Sequence, residues 1–347
     1  MIKVANYINE QKLLVSILFS KSSNFDSLIR SVNFEKLTKL TSSHLMLPSL
    51  YVNIKEKNIE NKIPIEFYNY INEIFILNQE RNIELVTEMN EISNVLNSSN
   101  LDYSFIKGPA ILTTNLFKNR GERMIGDIDI LVKKEDSIMA KEILENIGYI
   151  SKKNKKIFKN EGIHFDRQIN KNKIFAIEIH NQLLKKSGLI NEKKILKNKL
   201  TINKLNVPKI SDLLYHNIYN YQINDFGYNY LNYSFRSYYD TYIISRKINK
   251  IDANNSILST YFYLAENIGI NFENTTKFKV SYLTKLIIKL KNKFKFFYLI
   301  FRVYTKFKIN YLIKIKKFTK ILFEKKIRKK LIHNLTASYS PKKNIKN

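Results

Sequence analysis

Arg123-Met124-Ile125-Gly126-Asp127-Ile128-Asp129-Ile130-Leu131-Val132 is the stretch on which the reading of this chain turns. Its apolar run reads as a buried strand, and two carboxylates stand two residues apart within it. Strand side chains alternate faces, so Asp127 and Asp129 share one face while Ile128 and Ile130 point into a core. Two anionic groups that close repel each other and are poorly hydrated at a sheet end unless a cation lies between them. A hard divalent ion such as Mg²⁺ meets that need, because it uses one or two protein carboxylates and completes its shell with water and substrate phosphates. Acidic residues at the solvent edge of an ordinary strand share the spacing, so the neighbours decide.

Upstream, residues 103–106 (Tyr-Ser-Phe-Ile) read as a short strand stopping at Lys107-Gly108-Pro109, with an apolar helical stretch over 110–117. Pro109 suits the first helical position, where its missing N–H costs nothing, and Gly108 allows close backbone approach. Strand, glycine turn and helix start can hold a phosphate against free N–H groups; an ordinary strand-to-helix turn has the same outline.

Downstream, residues 163–169 and 174–180 both alternate, separated by Asn170-Lys171-Asn172-Lys173. That predicts a hairpin with a four-residue loop. In its second strand Phe175, Ile177 and Ile179 form one face, and Ala176, Glu178 and His180 the other. Glu178 is thus a third carboxylate, on a strand able to lie beside the Asp127–Asp129 strand, where it would complete a metal site or take a proton from an attacking hydroxyl. His164 falls on the opposite face. His180 shares the face of Glu178 and is read as a structural histidine.

Lys107-Gly108, Arg123, the run from Gly126 to Val132, and Glu178-Ile179-His180 together resemble the bacterial uncharacterised nucleotidyltransferase family, within the DNA polymerase β-like superfamily. Residues 44–51 are similar to part of that family's N-terminal helical region and residues 211–246 to its C-terminal half, so the resemblance spans roughly residues 30–270. It implies a metal-dependent transfer of a nucleoside monophosphate from an NTP to an acceptor, with release of pyrophosphate. By position, Asp127 and Asp129 would be ligands of Mg²⁺ (or Mn²⁺), Glu178 the third acidic residue, and Gly108 part of a phosphate-binding turn. Many superfamily members carry Gly-Ser where this chain has Gly108-Pro109, and the family often has Trp where this chain has Asn181. Lys107 and Arg123 would neutralise triphosphate charge, since phosphoryl chemistry depends on positioning and electrostatics; a solvated cation beside a strand end is the plainer role for each.

Composition bounds the rest. The 347 residues leave room for a substantial core, and the absence of cysteine excludes disulfides, thiolate metal sites and cysteine nucleophiles. No signal-peptide pattern opens the chain and no run approaches a transmembrane helix, so the expected location is cytoplasmic, with a peripheral membrane association open. The net charge of +29 is uneven: residues 271–347 hold 22 Lys and Arg against Glu273 and Glu324, which is +20. Within that region Phe294, Phe297, Phe301, Tyr304, Tyr311, Ile315, Phe318 and Leu322 recur at helical spacing among lysines. A basic amphipathic helix of this kind lies on anionic membrane, binds nucleic-acid phosphates, or packs its apolar face on its own domain.

The remainder reads as mainly helical. Residues 65–97 form one or two helices, 135–147 a helix capped by Gly148, residues from 209 another marked by Leu213, Leu214, Ile218 and Tyr221, and 228–248 an aromatic-rich one. There Arg236 and Asp240 stand at i,i+4 spacing, most simply an ion pair. The expected fold is α+β: an N-terminal helical region (1–99), a small mixed-sheet nucleotidyltransferase core (100–185), a C-terminal helical region (186–270), a basic amphipathic helical extension (271–337) and a disordered tail (338–347). Two other functions fit the carboxylates: an Asp-x-Asp glycosyltransferase using a nucleotide-sugar, and a non-catalytic binding protein that keeps the fold. The acceptor is not identified by the sequence.

Overall fold

The computed structural model describes residues 7–20, 24–151, 165–186 and 188–323. The fold is α+β, a small mixed sheet flanked by helices. Helices α1 (Ile8–Phe19), α2 (Phe25–Arg30), α3 (Phe34–Ser43) and α4 (Leu47–Glu56) lead into α5 (Ile65–Ser98), a single helix of 34 residues. One stripe of α5, including Asn78, Asn82, Leu85, Met89, Ile92 and Leu96, recurs every three or four residues and is buried.

The sheet follows. Strand β1 (Tyr103–Phe105), helix α6 (Lys107–Thr113), strand β2 (Asp127–Val132), helix α7 (Ser137–Asn146) and strands β3 (Ile150–Ser151), β4 (Gln168–Ile169) and β5 (Ala176–His180) are arranged in the order β1-β2-β5-β4-β3. β2 runs antiparallel to β1 and parallel to β5, while β4 is antiparallel to β5 and β3. The parallel pair is the consequential one. It sets Asp129 opposite Glu178 and Leu131 opposite His180, so the two carboxylates are cross-strand neighbours. Ile128, Ile130, Ile177 and Ile179 are all buried, as the alternation requires.

Several expectations shift. The β4–β5 hairpin forms with Gln168 opposite Ile177, and a Phe165 N–H bond to the Ile179 carbonyl (2.8 Å) extends the pairing; His164 lies outside the described residues. Helix α6 starts at Lys107 and ends at Thr113, so Pro109 is its third residue, not its first, and the helix stops short of Phe117. The shift costs nothing at Pro109, because the first N–H groups of a helix have no intrahelical acceptor. After α8 (Glu192–Lys197) comes a second hairpin, β6 (Leu200–Ile202) and β7 (Leu205–Val207), within the region read as mainly helical. Its turn residues Asn203 and Lys204 both have positive φ, +50° and +68°, as a two-residue turn matching the strand twist demands.

Helix α9 (Ile210–Tyr219) passes into a π-helical turn (Asn220–Asn224), then α10 (Gly227–Tyr230), α11 (Phe235–Ser245) and α12 (Ser256–Glu266). Helices α13 (Tyr282–Lys293) and α14 (Lys295–Phe323) form the described part of the basic extension; residues 324–347 lie outside it. Leu231, Leu264 and Ile288 make a small second core there, with Phe301 of α14 packed against it. The buried Lys291 ammonium donates to the Tyr230 and Leu231 carbonyls and to Asn232 Oδ1, tying α13 to the end of α10. Among the described residues no helix is long and apolar enough to cross a membrane.

Candidate active site

The loop before β2 is held from α5. Asn78 donates to the Gly121 and Arg123 carbonyls, Asn82 to those of Arg120 and Arg123, and Arg81 to that of Ile125. Polar residues on the buried stripe of α5 therefore take up loop carbonyls that burial would otherwise strand. Gly121 permits the approach, since a Cβ there would lie 2.8 Å from both the Phe75 ring and Gln79 Cβ. This fixes the entry to β2 and the place of Arg123.

Lys107, Gly108, Arg123, Asp127, Asp129 and Glu178 all line one polar cleft of about 280 Å³. Its far wall comes from α9, the π-helical turn and α11, including His216, Asn217, Asn220, Tyr221, Arg236 and Asp240. The cleft lies between the sheet and the C-terminal helices, at the ends of β1, β2 and β5.

Asp129 is the electrostatic centre. Its Oδ1 accepts from Lys107 Nζ (2.6 Å) and from His180 Nε2 (2.8 Å). Burial works to raise this carboxyl, and the Lys107 ammonium and the His180 hydrogen bond overcome it, holding the group at about 2. Since an ionised carboxylate only accepts, His180 carries its proton on Nε2. The 3.4 Å approach of Lys107 Nζ to that nitrogen is then a meeting of two donors. His180, fully buried, orients the Asp129 carboxylate. Lys107 reaches Asp129 from a backbone with φ +54°, a left-handed conformation uncommon for a residue with a side chain.

The other predicted residues have definite surroundings. Asp127 is paired with Arg167, whose side chain is about half exposed. Arg123 forms a bidentate pair with Asp240, Nε to Oδ1 at 2.8 Å and Nη2 to Oδ2 at 2.7 Å. The expected Arg236–Asp240 pair is therefore corrected: Asp240 points to Arg123, 117 residues away, and Arg236 has no hydrogen bond or ion pair among the described residues. Burial and the nearby Arg123 both lower Arg236 from the ordinary arginine value. Gly108 lies against the Arg123 guanidinium, which a Cβ at that position would strike; its immediate role is to seat Arg123.

His216 and Arg236 were not singled out as site residues from sequence. His216 is buried, its Nε2 has no hydrogen-bond partner among the described residues, and burial with Lys107 nearby pushes its imidazole down to about 3, so it is neutral. Helical periodicity places both on α9 and α11 without saying which way those helices face.

One ligand atom each from Asp129, Glu178 and His180 lies within 4.8 Å of the others, a grouping able to hold a metal ion. Carboxylate oxygens suit a hard divalent cation, with His180 supporting a ligand through its bond to Asp129, as outer residues of metal sites do. Asp127, two residues along the same strand face, lines the same cleft but stands outside this grouping, paired with Arg167.

No curated protein and no solved structure matches the chain. The model of one family, described as uncharacterised nucleotidyltransferase, matches residues 30–260, more than half of the chain and the whole of the cleft. The chain belongs to the uncharacterised nucleotidyltransferase family.

Proposed function

We propose that the chain is a metal-dependent nucleotidyltransferase, binding an NTP in the cleft through Mg²⁺ or Mn²⁺ held by Asp127, Asp129 and Glu178. The observation that carries this reading is the parallel register that sets Asp129 beside Glu178, with Asp127 on the same face and all three on one cleft. A bound divalent ion there would neutralise triphosphate oxygens and polarise the α-phosphorus. The acceptor oxygen forms a bond to the α-phosphorus, the bond from that phosphorus to the bridging oxygen breaks, and pyrophosphate leaves. Glu178 takes the acceptor's proton.

The chain's own groups divide the remaining work. His180 and Lys107 keep Asp129 ionised and aimed. Arg167 releases Asp127 at little cost, because an exposed ion pair contributes only about 0–1 kcal/mol. Arg123 is already neutralised by Asp240, whereas Arg236 lines the cleft without an ion pair among the described residues, which makes it a cation available to the β- and γ-phosphates. His216 Nε2 offers a further polar contact to the nucleotide or acceptor.

The test uses NTPs labelled separately at the α and γ positions, incubated with the protein, Mg²⁺ or Mn²⁺ and fractionated small-molecule and macromolecular acceptors. α-Label should enter a product while γ-label leaves as pyrophosphate, and both should stop in Asp129→Asn. Transfer of the γ-label alone, or of sugar from a nucleotide-sugar, refutes the reading.

A further inference from the structure

Helix α14 presents two opposite faces. Phe301, Thr305 and Ile309, spaced four apart, form the inner stripe: Thr305 and Ile309 are buried, and Phe301 seats on Leu231, Leu264 and Ile288. Phe296, Ile300, Val303 and Phe307, at i, i+4, i+7 and i+11, form a second stripe about half a turn away, and it faces solvent. Phe296 is 76% exposed, Val303 69% and Phe307 71%. Leu299, Tyr304, Tyr311 and Phe318 widen this stripe and are likewise exposed. Among the described residues nothing covers this apolar face, and a contiguous apolar patch of this kind marks an interaction surface.

The charges on the helix say what fits it. Residues 295–323 contain eight Lys or Arg and no acidic residue. At 100° per residue, Lys295, Arg302 and Lys306 flank the exposed stripe on one side and Lys308 on the other. A second copy of α14 would bring two such cationic helices together, like charge on like charge. The chain's own residues 324–347 add eight more cations against Glu324 alone, so they do not complement it either. A nucleic acid would satisfy the cations and stack on rings, leaving Ile300 and Val303 in water. An anionic bilayer offers hydrocarbon and negative charge in the same layered order as the helix.

We infer that α14 docks the protein on the surface of an anionic membrane, lying in the interface with the Phe296–Phe307 stripe in the acyl boundary and its flanking cations at the headgroups. Cations recur through the helix, which fits lying in the plane and not crossing it.

The test is flotation of the full-length protein with vesicles of phosphatidylcholine alone or of equal parts phosphatidylcholine and phosphatidylglycerol. Wild type should float with the anionic vesicles and much less with the neutral ones. Val303→Asp/Phe307→Asp alters only exposed side chains, so its melting curve should match wild type, while its partition falls by about 100-fold, from the transfer value of two large apolar side chains. Arg302→Gln/Lys306→Gln should weaken binding about fivefold per charge. Failure to float with anionic vesicles overturns the inference, as does equal flotation of Val303→Asp/Phe307→Asp and wild type. Light scattering and poly(U) binding test the other occupants. A wild-type dimer that Val303→Asp/Phe307→Asp converts to monomer would assign the stripe to a second copy. Tight poly(U) binding with no vesicle binding would assign the helix to nucleic acid.

Discussion

Removing one partner of the Arg123–Asp240 pair should destabilise the protein far more than removing both. The pair is bidentate at 2.7 and 2.8 Å, and its side chains are only 11% and 3% exposed. Asp240→Leu would leave the Arg123 guanidinium buried without an anion and bring it into unrelieved repulsion with Arg236, whose charge Asp240 now favours. Breaking a buried pair from one side costs about 3–5 kcal/mol. At about 2 °C per kcal/mol for a chain of this size, the melting temperature should fall by about 6–10 °C. Arg123→Met should cost a similar amount. The double variant Arg123→Met/Asp240→Leu replaces the pair by apolar groups and should recover most of the loss, giving a coupling of at least about 2 kcal/mol in a double-mutant cycle read by urea or thermal unfolding. Losses under about 1 kcal/mol for either single variant, or a double variant equal to their sum, would refute the claim that this ion pair ties the β2 entry loop to α11.

Glu122, buried and hydrogen-bonded by the Tyr239 hydroxyl, is pushed up to about 7 chiefly by burial. Its folded-state pKa lies above the unfolded value of 4.5, so its contribution is present in full below about pH 4.5 and is lost as pH rises through about 7. At 1.36 kcal/mol per unit, that loss is about 3 kcal/mol; Glu122→Gln should melt like wild type near pH 4 and be more stable than it near pH 8, and equal differences at both pH values would contradict this. Gly108→Ala drives a Cβ into the Arg123 guanidinium and to 3.3 Å from Ile125 Cγ1; overpacking of this kind should cost about 1–3 kcal/mol in denaturant titrations, and an unchanged midpoint would show that Arg123 has slack. Arg236→Ala should leave stability near wild type while weakening NTP binding about 10- to 100-fold, the value of a charge-assisted hydrogen bond, as measured by calorimetric titration with a non-hydrolysable NTP; unchanged affinity would remove Arg236 from the phosphate site.

The sheet and its carboxylates were legible because a strand's period of two is written locally. Asp127, Asp129 and Glu178 could be assigned to faces from alternation alone. That Asp129 stands opposite Glu178 was not, because the parallel pairing depends on a crossover through α7, β3 and β4. Asp240 illustrates the general difficulty. Its i,i+4 neighbour Arg236 is the nearest cation in sequence, yet the buried partner is Arg123, delivered by a loop that Asn78 and Asn82 hold from another helix. The β6–β7 hairpin leaves only a faint trace in the sequence, Leu200, Ile202, Leu205 and Val207 alternating around Asn203-Lys204, since three-residue strands barely register against a helical background. In α14 the apolar periodicity was visible, but both opposite faces are apolar, and only packing decides which one the domain covers.

The most direct test of the account is thermal stabilisation by ATP, CTP, GTP and UTP with Mg²⁺ or Mn²⁺, comparing wild type with Asp127→Asn/Asp129→Asn. A ligand that binds only the folded state raises its stability by mass action, about 2.7 kcal/mol at a concentration 100 times its Kd. Wild type should show metal-dependent stabilisation by at least one NTP, and the double variant should lose it. No stabilisation by any NTP, or the same stabilisation in both proteins, would contradict it.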